Sequence, residues 1–242
     1  MIPVFKKIRK KMADDNRPIK YLRYATGEVI LVVIGILIAL QINNWNEDRK
    51  AVIYQNNILQ VIQSDLEEDI IVIDGLLAIM EPKEKYFLKI ANKTMTREDY
   101  KNCKECDRII SGFPDISLQK RGFNLLLENV QFKNDKEDQL LKSIHLFYSY
   151  YNTEIGVDIT EVTHLFNVNY DYWINKEYEW VGDFLLSIKN EKFIDYTFSS
   201  GDYRNRVINF YTSFYLNYIQ HLKGYRKEAK VLIEQIDQKL KK

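Results

Sequence analysis

Glycine and proline are scarce, nine and four in 242 residues. That excludes linkers of disordered composition and low-complexity tracts, and leaves few places where a long regular element must break. Cysteine is limited to Cys103 and Cys106. A lone CxxC with no second pair cannot supply a four-cysteine zinc site within one chain. The three histidines, His145, His164 and His221, join no HxxxH or HExxH pattern, and no GxSxG, P-loop or GxGxxG is present. The expectation is a protein without catalysis, metal or cofactor. Period-two runs and hairpin signals are also missing, which points away from sheet.

Charge is balanced only in total. The net value of +1 conceals a basic end, residues 1–24, with Lys6, Lys7, Arg9, Lys10, Lys11, Arg17, Lys20 and Arg23 against Asp14 and Asp15. The remainder is mildly acidic. The basic end carries no interleaved aromatics and no recognition motif, so nucleic acid is not expected as a partner.

The basic end leads into an unbroken apolar run, Val29 to Leu40, preceded by Glu28 and succeeded by "QINN". Alone, the run is short for a membrane span. Its flanks extend it. Tyr21 and Tyr24 stand before it and Trp45 after. Tyr24 to Trp45 would cover about 31 Å of helix at about 1.5 Å per residue, close to the hydrocarbon thickness of a bilayer. Tyrosine and tryptophan favour the two interfaces. "QINNWNEDRK" offers a signal peptidase no small-residue site. The basic side should remain in the cytoplasm by the positive-inside rule. The expected organisation is a basic cytoplasmic segment at 1–24, a transmembrane helix at 25–45 and a periplasmic helical domain at 46–242, held by the inner membrane.

The stretch "GEVILVVIGILIALQINNWNE", Gly27 to Glu47, resembles the anchor of an uncharacterised family of small single-pass membrane proteins of Bacteroidota. The resemblance continues more weakly into "KEAKVLIEQIDQKL", Lys227 to Leu240. It implies an envelope location and a helical extramembrane region, and no particular activity.

Within the span, Glu28, Val32, Gly35, Ala39 and Ile42 recur at steps of three and four and share one face. Gly35 and Ala39 make a small-xxx-small pair that lets helices approach closely. This face is the candidate oligomer interface. Glu28 reads either as an interfacial carboxylate near the helix start or as an inter-helix or ion-conducting group.

Beyond the span, Leu59, Ile62, Leu66, Ile70, Ile73, Leu77 and Met80 step by three or four. They predict one helix from about 20 to 81, ended by Pro82. "KEKYFLKIANKT" reads as a short helix, and Thr96 with Asp99 as a near capping box for the next. The CxxC then falls within a predicted helix, where it could form a disulfide in an oxidising compartment or remain as two thiols. "SGFPD" at 111–115 is a turn. "SLQKRGFNLLLEN" predicts another short helix. A long helix comes next, capped by Asn134 or Asp135. "SSGDYRNR" at 199–206 separates a last helix running to Leu240. Twelve of the 17 tyrosines lie after residue 147. Tyr211, Tyr215, Tyr218 and Tyr225 sit at helical spacing, as core residues whose hydroxyls reach the bundle edge.

The fold class read from this is all-α: one N-terminal transmembrane helix continuing into a long stalk helix, then an extramembrane bundle. The expected role is a membrane-anchored scaffold or interaction protein. Its partners would be the lipid bilayer, further copies of itself and envelope proteins. A channel or ion-coupled subunit using Glu28 and a ligand-sensing bundle are the alternatives.

Overall fold

The structure, a computed structural model, describes residues 18–103, 106–129 and 139–241. The basic residues 1–17 and the expected caps Asn134 and Asp135 lie outside the described residues. The chain divides into two units, one ending at Asn57 and one running from Ile58 to Lys242. No strand occurs among the described residues.

Two prolines bracket the first helix. Pro18 opens α1, Pro18–Met80, where the missing N–H is one of the orphans of any helix start. Pro82 lies in the first turn of a 3-10 turn, Glu81–Lys83, that ends it. No proline falls between them. In the first unit, every residue from Val29 to Tyr54 is exposed.

In the second unit, the predicted stripe of α1 turns inward. Leu59, Ile62, Leu66 and Ile73 are fully buried, and Leu77 and Met80 nearly so. Around it stand α2, Glu84–Ala91, and α3, Arg97–Asn102. A 3-10 turn, Cys106–Arg108, and α4, Arg121–Asn129, come next. They are succeeded by α5, Gln139–Asn175, α6, Val181–Leu185, and α7, Glu191–Ser199. The chain ends with α8, Gly201–Tyr211, a π-helical stretch Thr212–Tyr218, and α9, Ile219–Leu240. The α9 helix packs chiefly on α5, and α2 on α8. Phe87 of α2 stacks on Phe210 at 6.0 Å between ring centroids and meets Tyr215 edge-on at 5.0 Å. Ring pairs of this geometry contribute beyond their buried area.

Local signals explain several boundaries. Thr96 caps α3 in a full capping box: its side chain accepts from the Asp99 N–H while the Asp99 carboxylate accepts from the Thr96 N–H. Other expectations are corrected. The CxxC does not lie within a helix. The α3 helix stops at Asn102 and Cys103 is extended (φ −104°, ψ 108°), because "KNCKECD" supplies no apolar stripe to prolong it. A disulfide joins Cys103 to Cys106. "SSGDYRNR" separates two helices at Ser200 alone, and the rest of it is helical. Ser200 caps a helix that begins at Gly201, its hydroxyl accepting from the Tyr203 N–H at 3.1 Å. The four residues Ser117–Lys120 are not helical. The hydroxyls of Tyr215, Tyr218 and Tyr225 end inside the bundle rather than at its edge. Tyr215 donates to the Met80 carbonyl at 2.8 Å, satisfying an acceptor that the end of α1 leaves open. Tyr225 donates to Asp69 at 2.5 Å.

Candidate functional site

The first unit exposes four of the five residues of its candidate face. Val32 and Ile42 are 58 % and 60 % exposed. Gly35 and Ala39 are exposed between them, and Glu28 is partly buried. A Cβ added at Gly35 would meet nothing within 4 Å, so the backbone there is open to close approach. Trp45 is exposed at the far end of the run. The side chains of Tyr21 and Tyr24 lie outside the described residues. Thr26 donates to the Leu22 carbonyl at 2.9 Å, a bond that keeps its hydroxyl satisfied within its own helix.

In the second unit, polar chemistry gathers at a place that no motif marks. Asp65 and Asp69 are one turn apart on α1 and both are fully buried. They act as caps for a helix that starts more than fifty residues later. Asp65 accepts from the Gly122 N–H at 2.8 Å and from Arg121 Nε at 2.8 Å. Asp69 accepts from the Gln119 N–H at 2.9 Å and from Tyr225. One orphan donor at the start of α4, the Gly122 N–H, is thus met by α1, which also takes the Gln119 N–H just before the helix. Burial pushes the Asp69 carboxyl up to about 6, and the Asp65 and Glu68 charges add to that, while the bonds from Tyr225 and Gln119 oppose it. Burial likewise pushes the Tyr148 and Tyr225 phenols up, beside the same two carboxylates.

Two further polar contacts join the long helices. His221 Nδ1 lies 2.6 Å from Asp158 Oδ2, whose carboxyl is pushed up by burial. The Arg206 guanidinium stacks 3.6 Å above the Tyr172 ring centroid and donates to Asn169 and Asp202. His145 stands near Phe123, and His164 is exposed on α5, so the three histidines do not converge. Among the described residues, no group of three His, Cys, Asp or Glu side chains could hold a metal ion.

The disulfide borders an open cleft of about 310 Å³. Met80, Phe87, Ile109 and Phe113 form its apolar walls, and Lys83 and Arg108 line it with positive charge. Sequence reasoning missed this site because its lining comes from four separate segments between residues 80 and 114. The acidic pair left a readable trace: Asp65 and Asp69 fall on the stripe side of α1, among Ile62, Leu66 and Ile73.

Among the described residues the secondary structure is helical without strand, and one helix is long and apolar enough to cross a membrane; these features define the class. Residues 28–117 match the model of a family of unknown function (DUF6090). The matched segment runs from the apolar stretch of α1 through the disulfide and takes in every residue that lines the cleft. No curated protein and no solved structure matches the chain.

Proposed function

We propose that this chain is a single-pass, membrane-anchored helical scaffold without catalysis. Residues 1–24 stay in the cytoplasm, 25–45 cross the inner membrane and 46–242 work in the periplasm. The observation that carries this reading is the run of apolar side chains from Val29 to Leu40. All are exposed in the structure, on a helix that water would not tolerate bare. A hydrocarbon surround supplies the missing cover and leaves the helix backbone internally satisfied.

Self-association through Glu28, Val32, Gly35, Ala39 and Ile42 is the second part of the proposal, supported by the open backbone at Gly35. Chemical cross-linking of the full chain in native membranes tests it. Wild-type protein should give a dimer or larger species, and Gly35→Leu should reduce that species severalfold by separating the helices. Monomer alone in both proteins, or an equal oligomer band in both, would rule the interface out.

A further inference from the structure

The structure assigns an exchange chemistry to the Cys103–Cys106 disulfide: it accepts two electrons from an external dithiol, attacked at Cys103 from the cleft, with Cys106 as the leaving sulfur. The exchange is stoichiometric, one dithiol per chain. It is independent of the membrane span and of the self-association reading.

The two sulfurs differ in access. Cys106 is fully buried, whereas Cys103 is partly exposed and lines the cleft of about 310 Å³. At about 30 Å³ per water-sized group that volume holds on the order of ten non-hydrogen atoms. This is room for a cysteine side chain and the backbone that carries it. A thiolate attacks a disulfide at one sulfur and expels the other. The sulfur within reach is Cys103 Sγ, so the one expelled is Cys106 Sγ.

The fold does not depend on the bond. It joins residues only three apart in sequence. So short a loop removes little freedom from the unfolded chain, and the bond stabilises the body only modestly. Both of its ends are held in other ways. On one side, the Cys103 N–H donates to the Asp99 carbonyl at 3.0 Å and closes the last turn of α3, whose start is fixed by the Thr96 capping box. On the other, Cys106 and Ile110 are buried in the core, and the Arg108 guanidinium donates to the Phe184 carbonyl. The reduced chain therefore keeps its fold and keeps the two thiols adjacent, ready to close again.

The exchange takes two steps. A donor thiolate attacks Cys103 Sγ. A donor–Cys103 disulfide forms, the Cys103–Cys106 bond breaks, and Cys106 leaves with the electron pair and takes a proton from water. The second donor thiol, deprotonated, then attacks the donor sulfur of the mixed disulfide. Cys103 leaves with that electron pair and takes a proton in turn. The donor dithiol is oxidised to a disulfide and the chain is reduced to two thiols. A single monothiol stops at the mixed disulfide, which the adjacent Cys106 reverses.

Gly112 gives a probe of the route. It lines the cleft, and a Cβ there would meet nothing within 4 Å. A large side chain at 112 can therefore obstruct the approach without displacing the core.

The experiment is reduction of the full chain in lipid nanodiscs by dithiothreitol. Samples quenched in acid are unfolded, alkylated with N-ethylmaleimide and weighed by mass spectrometry, which counts thiols in a chain of two cysteines. Wild type should gain two thiols with unchanged circular dichroism. Its rate should lie within about a thousandfold of the same chain unfolded in urea, since a disulfide reached only through global unfolding reacts more slowly than that. The reduced chain should melt within about 10 °C of the oxidised one. Gly112→Trp should slow reduction of the folded chain at least about tenfold and leave the rate in urea unchanged. In folded single-cysteine variants, Cys103 in Cys106→Ser should react with N-ethylmaleimide at least about tenfold faster than Cys106 in Cys103→Ser, and the difference should vanish in urea. Reduction of wild type only at its rate of unfolding, or loss of helical structure on reduction, would overturn the proposal. So would equal reactivity of the two folded variants, or an unchanged rate in folded Gly112→Trp.

Discussion

Gly122→Ala is expected to destabilise the helical body by about 3 kcal/mol, at the upper end of what overpacking a tight contact does. A Cβ at 122 would stand 2.5 Å from Ile62 Cγ1, 2.6 Å from Ile62 N and 2.8 Å from Ile62 Cα. Two of those three atoms belong to the backbone of α1, so no rotamer change relieves the overlap. Either α4 or α1 must move, and moving α4 lengthens the bond from the Gly122 N–H to Asp65. The comparison is Gly156→Ala on α5, where a Cβ meets nothing within 4 Å. That variant should gain about 0.5–1 kcal/mol from helix propensity. Thermal unfolding of the full chain in detergent reads both. At about 2–4 °C per kcal/mol for a body of this size, the first variant should melt roughly 6–12 °C low and the second slightly high. Equal melting of Gly122→Ala and wild type would show that α1 and α4 are not in this contact.

The two buried carboxylates should respond differently when altered. Asp65→Ala is expected to cost about 3 kcal/mol over the neutral range. It strips the acceptor from a buried N–H and a charge-assisted partner from Arg121. Arg121 keeps Glu68 at 3.0 Å and is half exposed, which moderates the loss. Asp69→Asn should instead change the pH dependence. The Asp69 carboxyl is raised from 3.8 to about 6 in the folded state, so the folded protein holds the proton more tightly than the unfolded chain. Its stabilising contribution is therefore fully present below about pH 3.8 and lost as pH rises through about 6. The stability of wild type relative to Asp69→Asn should rise by up to about 3 kcal/mol between pH 7 and pH 4. Asp99, Glu179 and Asp202 are held below their ordinary values by Lys89, Lys192 and Arg206. They destabilise at low pH in both proteins and cancel in the difference. A difference that stays flat across that range would place Asp69 in a solvated setting.

The features legible in the sequence were local. The extent of α1 comes from Pro82 and a stripe with no breaker stronger than Gly75. The start of α3 comes from Thr96 and Asp99, three residues apart. The features that stayed hidden depend on partners distant in sequence. The α4 helix starts at Arg121 rather than Ser117 where Asp69 takes the Gln119 N–H and Asp65 the Gly122 N–H. Tyr215 and Tyr225 look like edge residues by spacing alone, and only the fold brings the Met80 carbonyl and Asp69 to their hydroxyls. Ser199–Arg206 reads as a loop by composition, although Ser200 is also a good cap, and the cap decides the outcome. The same division holds for the sites: the span face sits on one helix and can be read by periodicity, whereas the cleft is assembled from segments that no single period links.

Membrane anchoring with the helical body outside the cytoplasm is tested most directly by reporter fusions. Alkaline phosphatase, active only outside the cytoplasm, and green fluorescent protein, fluorescent only when folded inside it, can each be fused after Lys242 of the full chain. The proposed topology predicts an active phosphatase and a dark fluorescent fusion, with the phosphatase activity lost when residues 25–45 are deleted. A bright fluorescent fusion with a silent phosphatase would contradict it.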